Sequence, residues 1–428
     1  MIDRIDYLDQ PPALAGLVGD ARPVEYTIDS QRLFVRGLRH VDAGTIQRVA
    51  HAMASPISLD AILDCLFFPV MPHQQLTSRE RVRLALQHET TDRIPIAMVC
   101  SGINPPARRA LQEHLACERG LTVDTYLRPL LDILSVAPTY VGPALPTGQD
   151  MWGVRRRSVT YGSGSYDEID HHPLATATID DLVTYPWPQT GWFDYTSLPS
   201  HIKTANTDGE RCLMVSNGNV FETAWYMRGF AQIFEDLCLR PDFAHVLLDR
   251  VADFWIEHFG RMLAAADGAV DLAFTADDLG GQEGLLMSRA MWEEFIRPRH
   301  ERLNQAIHEF GVSVIYHSDG AIMEVVDGLV DMGIDVLQAL QFSATDMEPA
   351  RLKSRFGDRL CFEGGVSVQT TLPFGSSTDV QREVEELIDI MGTEGGYILG
   401  PSHAIQAGTP PQNILALFDT AQRYYPFA

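Results

Sequence analysis

The stretch VSVIYHSDG (residues 312–320) begins as a run of branched and aromatic residues and ends in His317, Ser318, Asp319 and Gly320. A strand covered on both faces is apolar to its last residue, so an imidazole, a hydroxyl and a carboxylate at its tip need partners or a task. Seven more runs of this kind recur along the chain: RIPIAMV (93–99), LLDILSVA (130–137), RCLMVSN (211–217), VDLAFTADD (270–278), DVLQALQ (335–341), RLCFEGG (359–365) and GYILGPSH (396–403). Segments of helical period separate most of them, such as 241–266 and 289–311, the second ended by Gly311. Eight continuously hydrophobic strands alternating with helices predict an α/β fold, a (β/α)8 TIM barrel.

Two regions depart from the alternation. Residues 1–76 contain the helical stretch AGTIQRVAHAMASPISLDAILDCLFF (43–68) and read as an N-terminal helical extension. The barrel domain, 77–428, then opens with TSRERVRLALQ, a capped helix with Thr77 or Ser78 at its start and Glu80 behind. A complete barrel has no place for the apolar stripe of the extension, so it is expected to pack on the outside of the barrel or on a second subunit in a homodimer. Residues 150–200 read as an insertion between the second and third strands, a β-meander followed by a crossing rich in proline and tryptophan.

Composition narrows the function. A formal charge of -24 repels phosphate backbones, which excludes nucleic acid as a partner. No run approaches the roughly 18 apolar residues that a membrane span needs. The opening residues MIDRIDYLDQPP lack the character of a signal or transit sequence, so the expected location is cytoplasmic. Six cysteines lie far apart with no CxxC pair, which predicts reduced thiols and no cysteine metal cluster. Only two lysines occur, Lys203 and Lys353, both in polar settings, and this argues against Schiff-base chemistry. The glycine-rich GQEGLLMS and EGGVSVQ lack the spacing of a nucleotide loop.

Barrel enzymes draw their catalytic groups from the C-terminal ends of strands. The tips here supply Asn217 and Asn219, Asp277 and Asp278, His317 and Asp319, Gln338 and Gln341, Glu363, and Ser402 and His403. Helix capping is the alternative reading for each taken singly. His317 and Asp319 are two residues apart and leave an extended strand on one face. With Glu363 and His403 they offer nitrogen and oxygen ligands to a divalent metal such as zinc, the alternative being a His–Asp pair for acid–base work. Asp277 and Asp278 are candidates for a general base or a substrate contact. Asn217, Tyr316 and Gln341 are candidate substrate contacts, as is Tyr226 in the aromatic run that follows the third strand.

Several blocks, among them TSRERVRLALQHETTDRIPI, FTADDLGGQEGLLMS, IYHSDGAI, GDRLCFEGGVSVQ and GGYILGPSHAIQAGTPPQNILALF, resemble those of the uroporphyrinogen decarboxylase superfamily in content and order, over about residues 77–428. The resemblance is to its divergent branch near the corrinoid-dependent methyltransferases, and it too implies a (β/α)8 barrel. Where authentic decarboxylases carry Arg-Gln-Ala-Gly-Arg, this chain reads CSGINPPARRA, with Arg108 and Arg109 nearby. Asp132-Ile133-Leu134 echoes their Asp-Ile-Leu, but Asp132 precedes the apolar run. Thiol-directed methyltransferases of the branch bind zinc through His-x-Cys and a distant Cys, and the matching places here are His317, Asp319 and the neighbourhood of His403. The resemblance thus implies a methyltransferase that passes a methyl group from a small methoxylated substrate to a corrinoid protein. The alternative is a decarboxylase or hydrolase acting on a small carboxylic acid without corrinoid, anchored by Arg108 or Arg109.

Overall fold

The structure, a computed structural model, describes residues 76–424 apart from 101 and 163, and the backbone of Glu25–Asp29 and Arg32–Arg36. The chain divides into two compact units, Met1–Gln75 and Leu76–Ala428. In the first, Glu25–Asp29 pairs antiparallel with Arg32–Arg36, a hairpin the sequence did not suggest. The helical stretch at 43–68 and the dimer contact assigned to the extension lie outside the described residues.

In the second unit, seven parallel strands pair each with the next: Ile133–Ser135, Cys212–Asn219, Leu272–Ala276, Ser313–His317, Val336–Gln338, Cys361–Val366 and Tyr397–Pro401. The 93–99 run closes the ring. Ala97 N donates to Leu399 O at 2.9 Å, Leu399 N to Pro95 O at 2.8 Å, and Asp132 N to Ile96 O at 2.8 Å. All eight expected runs therefore take part in one (β/α) barrel, because strands covered on both faces are apolar throughout and stand out in the sequence.

Side chains alternate between two layers. Ala97, Met214, Phe274, Ala276, Ile315, Val336, Cys361 and Ile398 point into the barrel, where Val82 and Ala85 of helix Ser78–Leu86 join them at one end. Val215, Ala273, Val314, Tyr316, Leu337, Phe362 and Leu399 face the surrounding helices. The helix at 78–86 carries the expected capping box, with Thr77 accepting from Glu80 N and Glu80 accepting from Thr77 N. Its Arg81 is buried and pairs with Asp92 at 2.6 Å and Asp132 at 2.7 Å, while Arg93 reaches Asp132 at 2.7 Å. Asp132 is thus locked at the N-terminal end of the barrel.

The long helices fall where periodicity put them, at Pro241–Ala266 and at Arg289–His308, the latter with a π-helical turn over Trp292–Ile296. The expected meander is the hairpin Arg155–Tyr161 with Gly164–His171. Its Arg156 guanidinium lies 5.0 Å over the Tyr226 ring, and His172 Nδ1 is 2.7 Å from Tyr226 O. No helix among the described residues is long and apolar enough to cross a membrane.

Candidate active site

The strand Ser313–His317 sends Ile315 into the barrel and Tyr316 outward, so His317 turns inward again at the C-terminal mouth. Its Nδ1 donates to Gln338 Oε1 at 2.5 Å, and its Nε2 lies 3.4 Å from Asp278 Oδ1. Asp278 is steadied by Asp319 N, which donates to it at 3.0 Å. His403 stands with its ring 5.7 Å from that of His317 and its Nε2 3.8 Å from Asp319 Oδ2. Two overlapping sets of donor atoms meet here, Cys100 with His317 and His403, and Asp278 with His317 and Asp319; within each, all lie within 4.8 Å of one another.

Charge and burial oppose each other at this cluster. Burial alone would discharge the His317 imidazolium, but the Asp278 hydrogen bond and the Asp319 and Asp278 charges prevail and raise its pKa to about 9. Burial raises the Asp319 pKa, against the pull of His317 and His403. The Asp278 pKa is lowered, since hydrogen bonding and charge from His317 outweigh the desolvation. His403 is shifted down by burial. Beside the cluster is Glu222, at the start of helix Phe221–Arg228, which accepts from Tyr226 OH at 2.6 Å and Asn219 Nδ2 at 2.5 Å. Burial, with Asp278 and Asp277 nearby, pushes its pKa up to about 7.

Other expected site residues lie elsewhere. Asp277 is fully buried on the outer face; its oxygens accept from Phe221 N and Glu222 N, both at 2.8 Å, and from His300 Nε2 at 2.6 Å. It anchors the helix that presents Glu222. Tyr316 is also outward, its ring edge-on to His300 at 5.0 Å, on the side away from the cluster. Both miss the mouth for one reason: each is one residue out of phase with an inward neighbour. Glu363 points inward but belongs to neither donor set; it is fully buried, and neither of its oxygens has a hydrogen-bond partner among the described residues. Burial pushes its pKa up to about 8, with Gln338 and the His317 charge pulling the other way.

Asn217 is exposed at the rim, at a bulge where its φ of 86° suits asparagine. Gln341 is buried among amides at the same end, with its Nε2 2.7 Å from Gln282 Oε1 and 3.0 Å from Gln369 Oε1. Sequence reasoning missed Cys100 and Glu222. Cys100 ends the run RIPIAMVC and was visible to the rule of polar strand tips; Glu222 lies past its strand, on the helix, where that rule does not look.

Comparison with known proteins agrees with this architecture. The family model described as Uroporphyrinogen decarboxylase (URO-D) matches residues 157–424. Among curated relatives, the uroporphyrinogen decarboxylase of Syntrophotalea carbinolica is 24% identical over 50% of this chain and 61% of its own length. That of Anaeromyxobacter dehalogenans is 27% identical over 46% of this chain and 53% of its own. The chain thus spans between half and two thirds of these relatives. Among solved structures, a methyltransferase from Methanosarcina mazei shares the fold, with a TM-score of 0.58 and 19% identity over 82% of this chain and 99% of its own. Because the family model covers more than half of its residues, the chain belongs to the uroporphyrinogen decarboxylase family.

Proposed function

We propose that this protein transfers a methyl group from a small methoxylated substrate to the cobalt of a corrinoid carried by a partner protein, with a divalent metal such as zinc at the barrel mouth. The observation that carries the reading is the convergence of nitrogen, oxygen and sulfur donors on His317. The donor set fits such an ion: Nδ1 of His317 is occupied by Gln338, which leaves Nε2 to the mouth. Separations of 3.4 and 3.8 Å between neighbouring donors are close to the roughly 3.4 Å edge of a tetrahedron with bonds of about 2.1 Å. His317 and His403 would hold the metal with Asp319 and with Cys100 or Asp278.

When bound, the metal supplies Lewis acidity toward the ether oxygen. The chain's own groups do the rest. Asp278 and Asp319 balance charge at the imidazoles, and Glu222 holds a proton up to about pH 7 that can pass to the departing oxygen. The carbon–oxygen bond breaks with its electron pair left on oxygen, while cobalt(I) supplies the pair for the new bond to the methyl carbon. No nucleophilic side chain is needed. Anaerobic assay with reduced corrinoid protein and a panel of methyl ethers tests this: a methyl-cobalt spectrum with at least one donor is expected, and none with any donor overturns it.

The names of the curated relatives favour a second reading, loss of carbon dioxide from a small carboxylic acid. It needs a cation to grip the carboxylate. Against it, Asp132 is bound to Arg81 and Arg93 at the N-terminal end, and Arg108 pairs with Asp124 at the surface. Carbon dioxide release from a candidate acid without corrinoid would establish it. We further propose a homodimer to which residues 1–76 contribute; deleting them should yield monomer or aggregate by light scattering.

A further inference from the structure

Three neighbouring parallel strands bring one row of polar side chains into the barrel. The pairing sets His317 level with Gln338 and Gln338 level with Glu363. Each follows an outward residue, Tyr316, Leu337 and Phe362 in turn, so all three point inward at one height. Gly400 makes room for the last of them, since a Cβ there would come within 2.8 Å of Glu363 Oε1. Gln338 and Glu363 are buried, 1% and 0% exposed, which keeps water from competing for their polar atoms.

An amide is directional: its oxygen only accepts and its nitrogen only donates. Gln338 Oε1 is turned to His317 Nδ1, so its NH2 is left for the other neighbour in the row. That neighbour is Glu363, whose carboxyl offers an accepting oxygen in either protonation state and whose two buried oxygens have no hydrogen-bond partner among the described residues, while Gln338 pulls its pKa down against burial. We propose that Glu363 is a positioning residue: by claiming the amide N–H of Gln338 it keeps Gln338 Oε1 facing His317 Nδ1, and so commits the imidazole to present Nε2 to the mouth. This rests on His317 being the central side chain of the proposed site. It gives Glu363 a task that the two donor sets do not.

The tautomer of His317 reads this out without substrate, corrinoid or metal, so failure of the methyl-transfer assay leaves the test intact. Metal-free protein labelled with 15N-histidine is followed by two-bond 15N–1H correlation on the alkaline side of the ring's pKa, with the signal assigned by its loss in His317→Gln. The native protein should carry its proton on Nδ1. In Glu363→Met, which leaves the Gln338 amide N–H without its acceptor, Gln338 can turn over, and the Nε2–H form should appear. In a Gln338→Met background the same change should add nothing. An unaltered Nδ1–H form in Glu363→Met, or an added effect in the Gln338→Met background, overturns the proposal. Should Glu363→Met fail to fold by circular dichroism, Glu363→Leu is read in the same way.

Discussion

Two faces of the same strand ends have opposite fates. On the inner face, Asp278 and His317 meet His403, Asp319 and Cys100 at an open mouth. On the outer face, one residue earlier in each case, Asp277 and Tyr316 are sealed against His300 and the helices. Inner polar groups keep donor atoms turned to the mouth; Asp277 spends its own on backbone N–H groups and a histidine. A polar strand tip is thus a candidate for chemistry only when its phase points inward, and otherwise it anchors the layer behind.

The contrast can be broken most severely from the outer side. Asp277→Ala leaves two buried N–H groups and His300 without their acceptor, and should cost about 3–5 kcal/mol in urea unfolding. A loss below about 1 kcal/mol would mean that the anchor is dispensable. The inner counterpart should do the reverse. Asp278→Asn is expected to lower methyl transfer about 100-fold, equivalent to about 2.7 kcal/mol, with the urea midpoint little changed. A large stability loss with normal turnover would exchange the roles of the two aspartates.

Protonation sharpens the comparison. His317 is raised from 6.5 to about 9, Glu363 from 4.5 to about 8 and Glu222 from 4.5 to about 7. In each case the folded state keeps a proton that the unfolded chain has released, so the stabilisation is complete below the unfolded value and is lost as pH rises through the folded one. The urea midpoint of metal-free protein should therefore fall from about pH 6.5, above which the lowered His258 and His403 no longer offset it, to about pH 9, and Glu363→Gln should flatten the part of that fall below about pH 8. A midpoint that climbs over this range would contradict the assignment of buried protons.

The barrel was legible because strands buried on both faces are apolar without interruption, and all eight runs from RIPIAMV to GYILGPSH take part in it. The site was legible in type but not in phase. His317 and Asp319 converge as their spacing suggested and His403 joins them from the last strand, whereas Asp277 and Tyr316, at the same tips, face the helices. The alternation of Phe274, Ala276 and Asp278 against Thr275 and Asp277 was present in the sequence, but which phase faced inward depended on packing that only the closed ring decides. Glu363 had the right phase, stands level with Gln338 in the row, and belongs to neither of the two donor sets. Glu222 could not be found from strand tips, since a backbone bulge and a helix start carry it to the mouth.

The smallest expected effect belongs to Tyr316→Phe, which removes a buried hydroxyl that has no hydrogen-bond partner among the described residues and should change stability by less than about 1 kcal/mol. That makes it the control for its neighbour. The most direct measurement is elemental analysis of native, Tyr316→Phe and His317→Ala proteins, each purified without chelator in the presence of zinc. The account predicts close to one divalent ion per chain in the first two and none in the third. A native protein without metal, or a His317→Ala protein that keeps its full complement, would contradict it.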